Sequence, residues 1–400
     1  MSNHVLQPDT QAILLLCASF GQNRQVEPQP LTLSEYNSLA EWLRENQMRP
    51  GDLLEPTAKS HLEKITINKL NPERLLALLE RGGMLSLAVE KWTNLGLWVL
   101  GRSDIQYPKL LKQRLRHSAP AILYGVGNIE LLSMGGLAII GSRDVDEEIL
   151  SYTQRVTQNI ATQGIQVVSG GARGVDQAAM LGILDAGGTS VGVLADSLTK
   201  ATVNSKYRSS IKEGRLTLVS SYDPDAGFNT GNAMGRNKYI YALADYALVV
   251  NSAFGKGGTW AGAVDALSRL QDVPVFVRIE STVSEGNRQL YNQGAKPFPP
   301  EPWNDSLKEL LAASENEPEI LPETTPDIQP QTDIYAVVLP LILNHLQQPK
   351  DAKSLAECLD VRPTQMKDWL NKAVNEGKVR KTQNPVTYIA NQNSTQLSLL

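Results

Sequence analysis

Residues 137–176 read LAIIGSRDVDEEILSYTQRVTQNIATQGIQVVSGGARGVD. An apolar run, Leu137–Ile140, ends on Gly141-Ser142-Arg143, and an amphipathic stretch near 146–163 follows. A second run, Ile165–Val168, ends on Ser169-Gly170-Gly171-Ala172-Arg173-Gly174, and a further helical stretch opens near 175. Runs that are apolar at every position suit strands buried on both faces, as in a parallel sheet covered by helices. The alternation continues through Ser190–Leu194, a polar helix near 204–213, Leu216–Val219, a helix near 237–244, Tyr246–Val250, a helix near 259–270 and Val273–Ile279. Six strand-like runs separated by helices predict an extended Rossmann-like α/β domain, a doubly wound and mostly parallel sheet with right-handed crossovers.

This domain is expected over residues 98–296. Upstream, residues 1–97 read as a helical domain without chemistry of its own. Leu31–Asn46 carries apolar residues at helical spacing with Ser34 as its expected cap, and Asn71-Pro72 starts a leucine-rich helix that Gly82-Gly83 is expected to stop. Downstream, residues 297–332 hold recurrent prolines and acidic residues and read as an extended linker. Residues 333–392 predict three helices, Ile334–Leu346, Lys353–Leu359 and Pro363–Asn375, then a hairpin around Gln383-Asn384-Pro385, a pattern like a winged helix-turn-helix.

Composition narrows the function. The 400 residues are 42% hydrophobic and 20% charged with a net charge of −4, which excludes a globally basic binder but leaves room for a local basic patch. The two cysteines, Cys17 and Cys358, lie far apart with no Cys/His cluster, so neither a zinc site nor a disulfide framework is expected. The apolar run Ala12–Ala18 is too short to span a bilayer and no cationic segment precedes it, so a soluble cytoplasmic protein without membrane contact is expected.

In an open parallel sheet, ligands bind beyond the carboxyl ends of the strands. There the sequence places Gly141, Ser142 and Arg143; Ser169, Gly170, Gly171, Arg173 and Gly174; Arg236, Asn237 and Lys238, read as opening the helix before Tyr246; and Lys256, Gly257, Gly258 and Thr259. Glycines bring backbone N–H groups close to a ligand, helix N-termini add partial positive charge, and the basic side chains add full charges. The constellation favours phosphates. Neither the P-loop nor the dinucleotide pattern is present, no histidine falls after Leu137 and before the linker, and no cofactor is expected. Asp176 reads as a helix-dipole partner. Tyr207, Phe228, Tyr239 and Tyr241 are candidates for stacking on bases, although Tyr239 and Tyr241 cannot share one helix face.

At these residues the chain resembles the DNA-processing protein A family, also called Smf. Ala138-Ile-Ile-Gly-Ser-Arg143 is similar to the family's first-strand motif and Ser169-Gly-Gly-Ala-Arg-Gly-Val-Asp176 to its second, more specific one. Gly235–Asp245 resembles its Arg-Asn-Arg motif and the helix after it, and Asp104–Leu111 with Ala119–Tyr124 resembles its entry segment, so the likeness covers roughly 98–280. The resemblance implies a non-catalytic domain that binds single-stranded DNA, protects it during natural transformation, helps load RecA recombinase and forms a homodimer. It assigns phosphate contacts to Gly141, Ser142, Arg143, Gly170, Gly171, Arg173 and Lys238. The tail is left with duplex DNA or a protein as its partner. Three places depart from the family: Ser220-Ser221 for Ser-Glu, Met234-Gly235 for Phe-Pro, and Gly255-Lys-Gly-Gly-Thr-Trp260 for Gly-Ser-Gly-Ser-Leu, marking a divergent member. Nucleotide phosphoribohydrolases of the same superfamily are the enzymatic alternative, but Ala261 and Gly262 stand near where their catalytic Glu would follow the Gly-Thr turn. A sensor of free nucleotide is the third reading.

Overall fold

The strands that build the core are β1 (Trp98–Gly101), β2 (Ile122–Val126), β3 (Leu137–Gly141), β4 (Val167–Ser169), β5 (Ser190–Val193), β6 (Leu216–Ser220), β7 (Tyr246–Asn251), β8 (Val275–Val277) and β9 (Lys296–Pro297). They form one sheet in the order β1-β2-β6-β5-β4-β3-β7-β8-β9. The computed structural model from which this is read describes residues 6–21, 27–279, 283–303, 305–316, 334–359, 361–382 and 386–391. From β6 to β9 all neighbours run parallel, and each of the six expected apolar runs supplies one of these strands. Every residue of β3, β4, β5, β6 and β8 is buried, because helices such as Glu147–Thr162, Val175–Asp185, Thr230–Leu243 and Gly257–Arg269 cover the two faces.

Three strands were not expected: β9, which pairs parallel with β8, and β1 and β2 at the other edge. β2 joins β6 antiparallel and β1 joins β2 antiparallel, extending the sheet at one edge. Trp98–Leu100 and Ile122–Val126 are short apolar runs with no helix between them of crossover length. Helix Pro8–Cys17 packs on both strands. Ile13, Leu14 and Leu16, with Leu39, Leu43, Leu75 and Leu78 of the next helices, lie in the same buried cluster as Tyr124, Val126, Leu137 and Ile139. Residues 1–97 thus share the sheet's core, and one compact unit runs from Met1 to Pro318.

Local details correct three readings. Helix Leu33–Glu45 is capped by Thr32, not Ser34: the Thr32 hydroxyl accepts the Glu35 N–H at 3.3 Å while the Glu35 carboxylate accepts the Thr32 N–H at 2.7 Å, a reciprocal capping box. Asn71 caps Pro72–Leu79 as expected, but Gly82-Gly83 open the next helix, Gly82–Asn94, instead of closing the previous one. Part of the proline-rich stretch is packed, not extended. Phe298 and Trp303 are buried, the Asn159 amide donates to the Trp303 carbonyl, and Leu307 and Leu311 of helix Leu307–Asn316 reach the main core. Large aromatic and leucine side chains among the prolines supply apolar area that a linker lacks.

Helices Ile334–His345, Ala352–Cys358 and Pro363–Asn375 and the antiparallel pair β10 (Val379–Lys381) and β11 (Tyr388–Ala390) make a second unit with its own core around Ile342, Leu346, Leu355, Met366 and Leu370. The Gln383-Asn384-Pro385 turn lies outside the described residues. Among the described residues no helix is long and apolar enough to cross a membrane.

Because Leu14 is wholly buried in the shared cluster, Leu14→Ala is expected to destabilise the first unit by about 2–5 kcal/mol. Urea unfolding followed by far-UV dichroism and by strand-specific hydrogen exchange should show helix and sheet losing protection together. Loss confined to the helices of residues 8–94 would show that they are a separate folding unit.

Candidate functional site

The chain winds from β3 through β4 and β5 to β6 on one side of β3, then resumes at β7 on the other side. The loops leaving β3 and β7 therefore diverge at a crevice, the position at which open α/β sheets bind ligands. The β3–β7 register slips at this point: Ile140 faces Val249 and Gly141 faces Asn251. The slip aims the Asn251 carbonyl at the first loop, where it accepts the Ser142 N–H at 3.0 Å and the Ser142 hydroxyl at 3.2 Å. From the β7 side, the Thr259 hydroxyl donates to the Gly141 carbonyl at 2.8 Å. From the β4 side, the Val175 N–H donates to the Ser142 carbonyl at 3.3 Å. Gly174 sits at φ 90° with its α-carbon so close to that strand that a Cβ would collide with the Ser142 and Arg143 carbonyls. The structure thus brings three of the expected glycine turns into one cluster.

Beneath them lie a buried carboxyl and a buried guanidinium. Asp176 and Arg236 are each 5% exposed. The Asp176 carboxylate accepts the Gly141 N–H at 3.2 Å and lies against the Gly170 N–H. The Arg236 guanidinium runs under Gly170 and donates to the Val193 carbonyl at 2.6 Å, so that a Cβ on Gly170 would collide with it. Burial pushes the Asp176 carboxyl up to about 6, against the opposing pull of Arg236, the two glycine N–H groups and Arg143. Burial lowers Arg236, and Asp176 opposes that shift.

This arrangement changes the roles expected for several residues. Two of the N–H groups read as phosphate donors, those of Gly141 and Gly170, already face Asp176. Ser169 is fully buried and its hydroxyl donates to the Ile139 carbonyl at 2.6 Å. Residues 235–238 do not open a helix: it begins at Thr230, where the Asn229 side chain accepts the Asn232 N–H at 3.1 Å. Gly231, Asn232 and Gly235 are poor helix formers and hid that first turn. Arg236 therefore points into the protein, and Asn237 donates to the Gly258 carbonyl at 2.9 Å, tying this helix to the β7 loop. Lys238 lies over the Tyr239 ring with Asp265 and Arg269 as its charged neighbours, and burial lowers its ammonium. Arg173 is exposed but ion-paired with Asp144. Tyr207, Tyr239 and Tyr241 are buried and cannot present a face to a ligand.

What stays open at the edge is Arg143, Lys256 and the turns Gly171–Gly174 and Gly257–Gly258, the latter at the N-terminus of Gly257–Arg269. Among the described residues neither Arg143 nor Lys256 forms a salt bridge. Arg143 lies 5.6 Å from the ring centre of Phe228, which is 59% exposed. Phe254, 52% exposed in the β7 loop, was not singled out as a contact by sequence reasoning. Its signal was a large apolar residue inside a glycine-lysine turn.

Folding favours protonated Asp176, so its contribution to stability is whole below the ordinary carboxylate range and is lost as pH rises through about 6. Asp176→Asn removes this dependence. The stability of wild type minus that of the variant is expected to fall by about 3 kcal/mol between pH about 3.5 and about 7.5 in urea melts. A difference that does not change with pH would show that the carboxylate is not held in this state.

The model of the family described as DNA recombination-mediator protein A matches residues 98–310, reaching past the resemblance read from the motifs into the segment with Phe298 and Trp303. The DNA processing protein DprA of Streptococcus pneumoniae is 27% identical over 183 residues, 45% of this chain and 64% of that protein. Protein Smf of Escherichia coli is 30% identical over 179 residues, 44% of this chain and 48% of that protein. The chain thus spans less than two thirds of either relative. The X-ray structure of DprA from Streptococcus pneumoniae superposes with a TM-score of 0.57 at 20% identity, covering 77% of this chain and 98% of that one, which shows a common fold. With the family model matched across the whole sheet, from β1 to β9 and beyond, the chain belongs to the DNA recombination-mediator protein A family.

Proposed function

We propose that this chain binds single-stranded DNA through the phosphates of its backbone, at the crevice between β3 and β7, and performs no bond-breaking there. The observation that carries the reading is the pair of cations, Arg143 and Lys256, standing exposed beside glycine turns that converge on one crevice. Arg143 presents a planar fork of donors suited to phosphate oxygens, and Lys256 adds a point charge at the N-terminus of helix Gly257–Arg269. The exposed ring of Phe228 beside Arg143 gives a base a surface to lie on. Within this reading the glycine turns, Ser142 and Thr259 shape the crevice, while Asp176, Arg236 and Asn237 hold its walls.

The family resemblance extends the reading. We include in it a cytoplasmic homodimer that protects single strands and hands them to RecA recombinase, with a winged-helix-like tail contacting duplex DNA or a protein. A boundary near 98 for the DNA-binding region completes the proposed organisation. The hydrolase reading needs a carboxylate positioned to activate water. Residues 260–262 carry none, and Asp176 is buried and engaged by Gly141, Gly170 and Arg236.

Single-strand binding releases counterions with a log–log salt slope of about −0.7 per phosphate neutralised. Two open cations predict a slope of about −1.4, and recruitment of Arg173 away from Asp144 takes it to about −2. Arg143→Ala is expected to weaken oligo-dT binding about tenfold at low salt and to flatten the slope by about 0.7, whereas Lys238→Ala leaves both unchanged. Fluorescence anisotropy across a salt series measures all three. Unaltered binding in Arg143→Ala, a flat salt response, or release of free base from a nucleoside monophosphate would each refute the proposal.

A further inference from the structure

The loop after β7 carries an aromatic pair that the phosphate reading does not use. Phe254 and Trp260 pack edge to face, with ring centres 5.0 Å apart and planes at 86°. Trp260 is half-buried against the second core cluster of the sheet, next to Ala263 and Ala266 on the same helix, so it is held from below. Phe254 is 52% exposed. Gly255 and Gly257 both adopt positive φ, 67° and 79°, with open space where a side chain would project. Lys256 sits between the two glycines, exposed. At the far end of the loop, the Thr259 hydroxyl is fastened to the Gly141 carbonyl, one residue from Ser142 and two from Arg143.

An exposed phenylalanine on a glycine-rich loop costs solvation, and here its ring packs edge to face on a tryptophan. A ring already held in place loses little entropy when a flat ligand lies on it. A cation beside it, and a second at the neighbouring turn, suit a ligand that combines a π-face with a negative charge at each repeat. A single nucleic-acid strand has that composition, and base–aromatic stacking tolerates every base. We propose that Phe254, braced by Trp260, is a stacking platform for a nucleobase of the strand whose phosphates Arg143 and Lys256 hold; this rests on the single-strand reading above. Phe254 then supplies the part of the affinity that does not depend on salt.

The test compares oligo-dT with an abasic deoxyribose-phosphate oligomer of equal length, for the full chain and its Phe254→Ala, Phe254→Leu and Phe254→Tyr variants, by anisotropy at fixed salt. The expected result is a loss of about 5- to 100-fold for oligo-dT in the Ala and Leu variants, an unchanged salt slope, no loss on the abasic oligomer, and recovery in Phe254→Tyr. Phe254→Leu keeps an apolar side chain on the loop, so it separates the ring from the packing it provides. Equal losses on both oligomers, or no loss on oligo-dT with the wild type bound, would overturn the platform and leave the phosphate site standing. A change in oligomeric state of the variants without a change in oligo-dT affinity would also overturn it, assigning the ring to self-association. Failure of the wild type to bind oligo-dT would overturn the single-strand reading and the platform together.

Discussion

The site depends on a carboxyl and a guanidinium held out of water. Asp176 and Arg236 lie under the glycine turns of β3 and β4, and four elements meet at them: β3 through Gly141, the β4 loop through Gly170, β5 through Val193, and the helix Thr230–Leu243 that carries Arg236 itself. Each group is costly to charge at 5% exposure, and the positive charge of Arg236 and the glycine N–H groups offset part of that cost for Asp176. Gly170 is required because the guanidinium fills the volume of its missing side chain. The same pair explains why a strongly cationic edge on paper becomes a narrower one in space. One arginine and two N–H groups are spent on holding the loops, which leaves Arg143 and Lys256 to face solvent.

This division between fastening and facing recurs across the edge. The hydroxyls of Ser142, Ser169 and Thr259 each donate to a carbonyl of a strand or loop, Asn237 ties its helix to Gly258, and Arg173 is matched with Asp144. Such bonds make the loops rigid, and rigid loops lose less entropy when they order a flexible polymer. The open groups are few and chemically distinct: two cations, two glycine turns and two exposed rings, Phe228 and Phe254. In the proposed reading, phosphate and base would each meet a separate contact on this common frame.

The N-terminal helices belong to that frame. Arg81 is buried beneath Phe20 and donates to the Leu15 and Ala18 carbonyls, closing the end of helix Pro8–Cys17 where it lies on β1 and β2. The two antiparallel strands widen the sheet enough to offer this helix an apolar face, which is why residues 8–94 bury leucines together with Tyr124 and Leu137.

The parallel strands were legible in the sequence because burial on both faces leaves an unbroken apolar run, as in Leu137–Ile140 and Tyr246–Val250, and because Gly141, Gly170 and Gly255 follow three of the runs at the same edge. The cap at Asn71 followed from local side-chain chemistry. Other features needed the folded chain. β1 and β2 join the sheet only through the pairing of β2 with β6, a partner about ninety residues away. The start of helix Thr230–Leu243 runs against the propensity of its own glycines and asparagine. The direction in which a charged side chain points was the least accessible: Arg143 and Arg236 both stand beside glycines in family-like motifs, yet one is solvated and the other buried. Composition and periodicity are properties of neighbouring residues along the chain, so they determine which elements form and which edge gathers the glycines. Whether a cation faces a ligand or a buried carboxylate is decided by residues distant in sequence, and only packing brings Asp176, Gly170 and Arg236 to one place.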